Sequence, residues 1–336
     1  MPAKFSAYPQ HHENSGIPAE GIFTDIAIDT LKGLSAYPKY LLPKYFYDNA
    51  GTEIFSEIMK LPEYYLTRCE SEILNDNKRS IAEMLMSDGS SFNLIELGSG
   101  DGIKTKILLD TFLSKKADFV FMPVDISQKA NDDLSENLRT EFPLLHITPI
   151  TGDFSGLFTE EYNENEPRKV ILFLGSNIGN LNDRELIHFL KNLSAFTGKG
   201  DKLLIGFDLK KSPALIMKAY DDSQGLTRKF NINHLIRLNR ELKADFNIDL
   251  FEQHTEYNPV TGKVKSYLVS LADQKVTLRE IGETFLFRRW ESIFMELSRK
   301  FEISQIEALA AENGFAVEHI FTDTANYFVD SIWVRL

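Results

Sequence analysis

The stretch Phe92-Asn93-Leu94-Ile95-Glu96-Leu97-Gly98-Ser99-Gly100-Asp101-Gly102 decides the fold. An apolar run of strand length ends in three glycines, and the helix-like KTKILLDTFLSKK (104–116) follows at once. Glycine is needed where a chain must turn tightly and bring its backbone close to a ligand. The spacing is G-x-G-x-G and not the G-x-G-x-x-G of dinucleotide-binding dehydrogenases. Three glycines in a loop are a weak signal alone, and their place between a strand and a helix strengthens it.

Outward from this turn the theme repeats. FVFMPVDIS (119–127) is a second apolar run, with SQKANDDLSENLRTEF (127–142) as its helix. HITPITGDF (146–154), KVILFLGSN (169–177) and DKLLIGFDLK (201–210) follow, with DRELIHFLKNLSAF (183–196) between the last two. Strands alternating with helices imply an α/β fold with a parallel sheet covered on both faces. AVEHIFTD (316–323) and YFVDSIWVRL (327–336) lie close enough to pair as a terminal antiparallel hairpin. That combination suits a doubly wound class I methyltransferase core, a mostly parallel seven-stranded sheet with an antiparallel C-terminal hairpin.

The remainder reads differently. Residues 1–19 are polar and are expected to be a flexible lead-in. From 24 to 86 the pattern is helical, with Pro62 as a break. Residues 211–300 begin polar and helical and then alternate around Asn258-Pro259 and Thr261-Gly262, as in a meander of antiparallel strands. The expected division is a core of 73–210 and 301–336, beside a smaller α+β substrate-binding domain of 20–72 and 211–300.

Composition narrows the function. The 336 residues are 43% hydrophobic and 26% charged, as in ordinary globular enzymes. A net charge of −12 argues against nucleic acid as a partner. A single cysteine, Cys69, rules out an intrachain disulfide and a cysteine-rich zinc site. His11, His12, His146, His188, His234, His254 and His319 show no metal-ligand spacing, so no metal is expected. The N-terminus lacks the apolar run of a signal peptide, and no stretch has the length of a membrane helix. The expectation is a cytoplasmic enzyme that does not meet the membrane; its oligomeric state is left open.

The strand ends supply candidate cofactor contacts. Asp125 closes the second strand, where a carboxylate can accept from both ribose hydroxyls or cap the next helix. Asp153-Phe154 can receive an adenine amino group and cover its ring, or serve as a turn carboxylate beside a core aromatic. Lys104 can reach a cofactor carboxylate or remain a solvated helix lysine.

Several motifs carry a resemblance. They are Tyr45-Phe46-Tyr47-Asp48, Leu61-Pro62-Glu63-Tyr64-Tyr65-Leu66-Thr67-Arg68, Glu96-Leu97-Gly98-Ser99-Gly100 and Leu174-Gly175-Ser176-Asn177-Ile178-Gly179-Asn180-Leu181. Ala219-Tyr220-Asp221-Asp222, Asn239-Arg240-Glu241-Leu242 and Met295-Glu296-Leu297-Ser298-Arg299-Lys300-Phe301 complete the set. With these, the chain from about residue 20 onward resembles the histidine Nα-methyltransferases of ergothioneine biosynthesis. The resemblance implies S-adenosylmethionine as cofactor, lined by Gly98, Gly100, Lys104, Asp125, Asp153 and Phe154. It implies an amino acid as substrate, with Asn180 holding its amino and carboxylate groups and Tyr220 its carboxylate. Tyr64 would touch the ring, Glu296 and Ser298 the imidazole nitrogens, Gly175 would offer backbone near the amine, and Tyr47 would sit beside the amine, through water.

The chemistry suits these residue types. Methyl transfer from a sulfonium needs a neutral amine held in line and a route for its proton. Three transfers leave a fixed cation, which aromatic faces stabilise by about 0.5–2 kcal/mol each. Taken singly, each tyrosine also reads as an amphipathic core residue, and Glu-x-Ser on a strand as a solvated face. Two departures stand out: Ser266, where histidine-specific members often carry a larger apolar side chain, and the atypical FLFRRW (285–290), whose loop would reshape the ring pocket. Relatives of the same fold methylate tryptophan-derived amines. The competing readings are that chemistry on another amino acid, a nicotinamide-dependent oxidoreductase, and a binding protein without turnover.

Overall fold

The computed structural model describes residues 24–86, 89–152, 158 and 166–336. Its main sheet is built from β2 (Phe92–Leu97), β3 (Phe119–Asp125), β4 (His146–Ile147), β5 (Ile150–Thr151), β6 (Arg168–Phe173), β7 (Lys202–Asp208), β13 (Phe315–Thr322) and β14 (Phe328–Arg335). The order is β13-β14-β7-β6-β2-β3-β4, with β5 also on β3. Strands β2, β3, β6 and β7 run parallel, and β14 is antiparallel to both β7 and β13. The terminal hairpin is therefore as expected. The third strand is not one piece: Pro149 has no N–H for the ladder, and β4 and β5 are two-residue fragments on either side of it.

Alternate side chains fill two cores. Leu94, Phe121, Val170, Leu172 and Leu204 pack with α3 (Tyr65–Leu85) and α4 (Ile103–Ser114) on one face. Ile95, Ile171, Phe173, Ile205 and Phe207 pack with α6 (Asp183–Phe196) and α9 (Ile303–Glu312) on the other. Double-sided burial explains why these strands read as continuous apolar runs.

The chain leaves β2 toward β3 and β4, then returns across it to β6 and β7. The C-terminal ends of these strands therefore meet at the point where strand order reverses, the edge where open α/β sheets bind ligands. Leu97, Asp125, Phe173 and Asp208 all end there.

A second sheet has the order β1-β12-β9-β8, from Lys39–Tyr40, Ser292–Arg299, Lys263–Ser270 and Phe251–Asn258. The expected meander lies in β8, β9 and the hairpin β10 (Gln274–Leu278) with β11 (Glu283–Phe287). Its core takes Ile26, Leu34 and Ile58 from α1 (Asp25–Ser35) and α2 (Asn49–Ile58), and Phe230, Leu235 and Leu238 from α8 (Leu226–Glu241). Phe285 and Phe287 are buried in that same core. No helix among the described residues is long and apolar enough to cross a membrane.

Candidate active site

The glycine turn is shaped for close approach. Gly98, Gly100 and Gly102 have φ of 71°, 53° and 67°, the left-handed region that L side chains rarely adopt. A Cβ on Gly100 would meet nothing within 4 Å among the described residues, whereas one on Gly102 would lie 2.6 Å from Leu134 Cδ1. Helix α4 begins at this turn with no side chain at its N-cap, Gly102, and Asp101 Oδ1 accepts from its first amide, Ile103, at 3.1 Å. Asp125 stands at the end of β3 and accepts from the Ser127 amide at 2.9 Å. Ser127, not Asp125, caps the following helix α5 (Gln128–Glu141). Asp153 and Phe154 lie outside the described residues.

Lys104 and Gly175 meet through a residue the sequence reading gave no role. Glu70, buried on α3, accepts from the Gly175 amide at 2.7 Å and pairs with Lys104 Nζ at 2.5 Å. Gly175 therefore keeps its carbonyl, not its N–H, for anything bound nearby. Burial disfavours the Lys104 ammonium, but Glu70 outweighs it and holds the group above its usual value. Two further acids surround the pair. Burial, reinforced by Glu70, pushes Asp330 on β14 well above the carboxylate range, and burial takes Glu96 up to about 8 against the opposing hydrogen bond from Thr105.

After Phe173 the chain enters a short 3-10 turn, Asn177–Asn180, which packs against β7 and β12. A Cβ on Gly179 would stand 2.7 Å from the Arg299 carbonyl oxygen. The half-buried Asn180 is thereby fixed between the two sheets.

On the second sheet, SIFMELSR would by simple alternation turn Ile293, Met295 and Leu297 one way and Glu296 and Ser298 the other. A bulge between Phe294 and Glu296 breaks that pattern. Ile293 pairs with Leu268, Glu296 with Ser266 and Ser298 with Val264. Leu268, Ser266 and Val264 alternate along β9, so Glu296 and Ser298 share the face of Ile293, which is covered. Glu296 and Ser298 are thus not on a solvated face.

Three tyrosines converge on that face. Tyr47 precedes α2, where Asp48 caps the helix through the Gly51 amide and is held by Asn233 and Arg240 of α8. Its ring stands edge-on to Phe55 and Phe230 at 5.5 Å. The side chain is 45% exposed. Burial, then Glu296, Tyr220 and Asp125, push that phenol far above its usual value. Tyr64, at the start of α3, is raised by burial, Tyr220, Tyr47 and Glu296. Tyr220 ends α7 (Pro213–Tyr220), and its hydroxyl lies 2.8 Å from Ser298 Oγ. Glu296 is itself pushed up to about 7 by burial, with Lys300 pulling the other way. Tyr220 and Ser298 thus touch, Tyr47 and Tyr64 both stand edge-on to Phe55 at 5.5 and 6.1 Å, and both tyrosines lie within electrostatic reach of Glu296 and Tyr220.

A family model described as histidine-specific, SAM-dependent methyltransferase matches residues 26–335. The chain belongs to this family. It is 36% identical to the histidine N-alpha-methyltransferase of Mycolicibacterium smegmatis, over 91% of this chain and 94% of that protein. It is also 36% identical to the protein of that name from Mycobacterium tuberculosis, over 89% and 92%. Similarity to ergothioneine biosynthesis protein 1 of Schizosaccharomyces pombe is 31%, over 94% of this chain but 41% of that protein.

The cofactor of this SAM-dependent methyltransferase is S-adenosylmethionine, and the residues fit it. Three left-handed glycines, a helix start and a strand-end carboxylate form a cradle for an adenosine group. Ser99 Oγ is buried in the turn with no hydrogen-bond partner among the described residues.

Three residues escaped the sequence reading. Glu70 had a signal: an acid at a core position of α3, among Leu66, Cys69, Ile73 and Leu74. Asp208 and Lys300 form a fully buried ion pair at 2.7 Å, and only the acid at the end of GFD hints at it. The FLFRRW segment supplies core side chains through Phe285 and Phe287, while Trp290 is exposed.

Proposed function

We propose that this methyltransferase converts L-histidine to its Nα-trimethylated betaine, hercynine, by three successive transfers in the cytoplasm. The observation that carries this reading is the bulge on β12, which turns Glu296 and Ser298 onto the covered face beside Tyr47, Tyr64 and Tyr220. A carboxyl and a hydroxyl side by side match the two nitrogens of an imidazole, whereas an indole has one N–H to offer.

In this reading residues 73–210 and 301–336 hold the cofactor, and residues 20–72 and 211–300 build the amino-acid pocket. Bound S-adenosylmethionine supplies an electrophilic methyl group on its sulfonium. Gly98, Gly100, Lys104, Asp125, Asp153 and Phe154 would hold it. Asn180 and Tyr220 would fix the substrate's amino and carboxylate groups, and Tyr64 would cover its ring. Tyr47 stays protonated at neutral pH, so it orients the amine or a water by hydrogen bonding; the amine's proton leaves to solvent. The methylated ammonium would rest among the tyrosine faces.

A second reading is the same transfer on a bulkier amino acid, such as a tryptophan derivative or a modified histidine. Ser266, small and directly across from Glu296, favours it by leaving room there. Mass spectrometry of products from histidine, tryptophan and a panel of amino acids separates the two. A gain of three methyl groups on histidine alone supports the first, and methylation of another amine with histidine ignored overturns it.

A further inference from the structure

We propose that Lys300 is a positioning residue that makes the Tyr220 and Ser298 hydroxyls act as one donor toward the amino acid; the inference deepens the reading above and rests on it. The ammonium is fully buried and all three of its N–H bonds are assigned: 2.6 Å to the Tyr220 hydroxyl, 2.8 Å to Ser298 Oγ and 2.7 Å to Asp208 Oδ2. It also lies 4.5 Å from the centre of the Tyr220 ring. Asp208 is anchored in turn by the Tyr65 hydroxyl at 2.9 Å and by Lys211.

Hydrogen counting then limits what the pair can offer. Tyr220 and Ser298 each accept from Lys300, and at 2.8 Å one of them donates to the other. One O–H remains to point outward, backed by a positive charge that does not reach solvent. The two hydroxyls therefore cannot both donate outward, one to the carboxylate and one to the ring, at the same time. Such a group attracts a carboxylate or a neutral ring nitrogen and repels a protonated amine. Burial, followed by Asp208, keeps the Tyr220 phenol well above its usual value, so it remains a donor. The same ion pair ties the end of β7 to the residue after β12, where the Phe301 amide donates to the Asp208 carbonyl at 2.8 Å.

Lys300→Met removes the charge with little change in volume. Asp208 keeps Lys211 and Tyr65, so no bare carboxylate is left in the core. With histidine, KM should rise about tenfold while kcat stays within about threefold, and affinity for S-adenosylhomocysteine should not change. In a double-mutant cycle, Tyr220→Phe should cost far less in the Lys300→Met background than in the parent. A parent-like KM, or additive changes, overturns the proposal. Should Lys300→Met fail to fold, Lys300→Gln, which keeps N–H donors without the charge, is put through the same cycle under the same criteria. The parent is run on the amino-acid panel alongside. Turnover of another amine in place of histidine overturns the substrate reading, and Lys300 is then judged on that amine. No turnover on any amine overturns both.

Discussion

Glu70 accepts the Gly175 amide at 2.7 Å, joining a helix of one core face to the loop that follows β6. Its second oxygen holds Lys104, so one buried carboxylate fixes two groups beside the cofactor cradle. Removing one partner of a buried pair leaves the other uncompensated, which costs about 3–5 kcal/mol. Glu70→Ala should therefore lose stability of that order and bind S-adenosylhomocysteine more weakly. Glu70→Gln, which keeps the acceptor for Gly175, should lose less. Chemical denaturation and calorimetric titration check this, and an alanine variant as stable as the parent would refute it.

The turn at Gly179 has no room for a methyl group against the Arg299 carbonyl. Gly179→Ala should push the turn off β12 at a cost of about 1–3 kcal/mol. Because Asn180 is carried by that turn, kcat/KM should fall more steeply than stability. Kinetics compared with a melting curve reads both, and parent-like kinetics would contradict the placement of Asn180.

Glu96 predicts a pH effect. Its folded-state carboxyl is raised from 4.5 to about 8, so the folded protein holds a proton that the unfolded chain releases. The stability this contributes is complete below about pH 4.5 and is lost as pH rises through about 8. The contribution to the slope is about −1.4 kcal/mol per pH unit within that window. Glu96→Gln should flatten it. Denaturation midpoints from pH 5 to 8 test the sign, and an unchanged slope would show that Glu96 is not its source.

Glu296, pushed up to about 7, should set a second profile, on activity. As the carboxylate forms it becomes a better acceptor for an imidazole N–H. The ratio of kcat/KM between parent and Glu296→Gln should therefore increase as pH rises through about 7. A ratio independent of pH would remove Glu296 from the ring's neighbourhood.

Much of the main sheet could be read before folding, because its central strands are buried on both faces and stand out as apolar runs. The split of the third strand could not, since HITPIT keeps its hydrophobicity while Pro149 removes the ladder hydrogen bond. On the site, Tyr47, Tyr64, Tyr220, Glu296 and Ser298 are gathered from motifs far apart in the chain. Glu70 reaches Gly175 across 105 positions and Lys300 reaches Tyr220 across 80, and no local pattern records such contacts. The bulge on β12 is hidden as well, because the run Ile293-Phe294-Met295 reads as an ordinary buried stretch of strand and not as an extra residue.

That bulge separates two duties within one strand. Ile293 and Met295 anchor β12 in the hydrophobic core, while positions 296 and 298 carry the polar groups proposed to meet the substrate. Changing what the strand recognises therefore requires no change in what secures it. If the proposed pocket holds, substrate preference can shift at Glu296 and at Ser266 across from it while that anchor stays as it is.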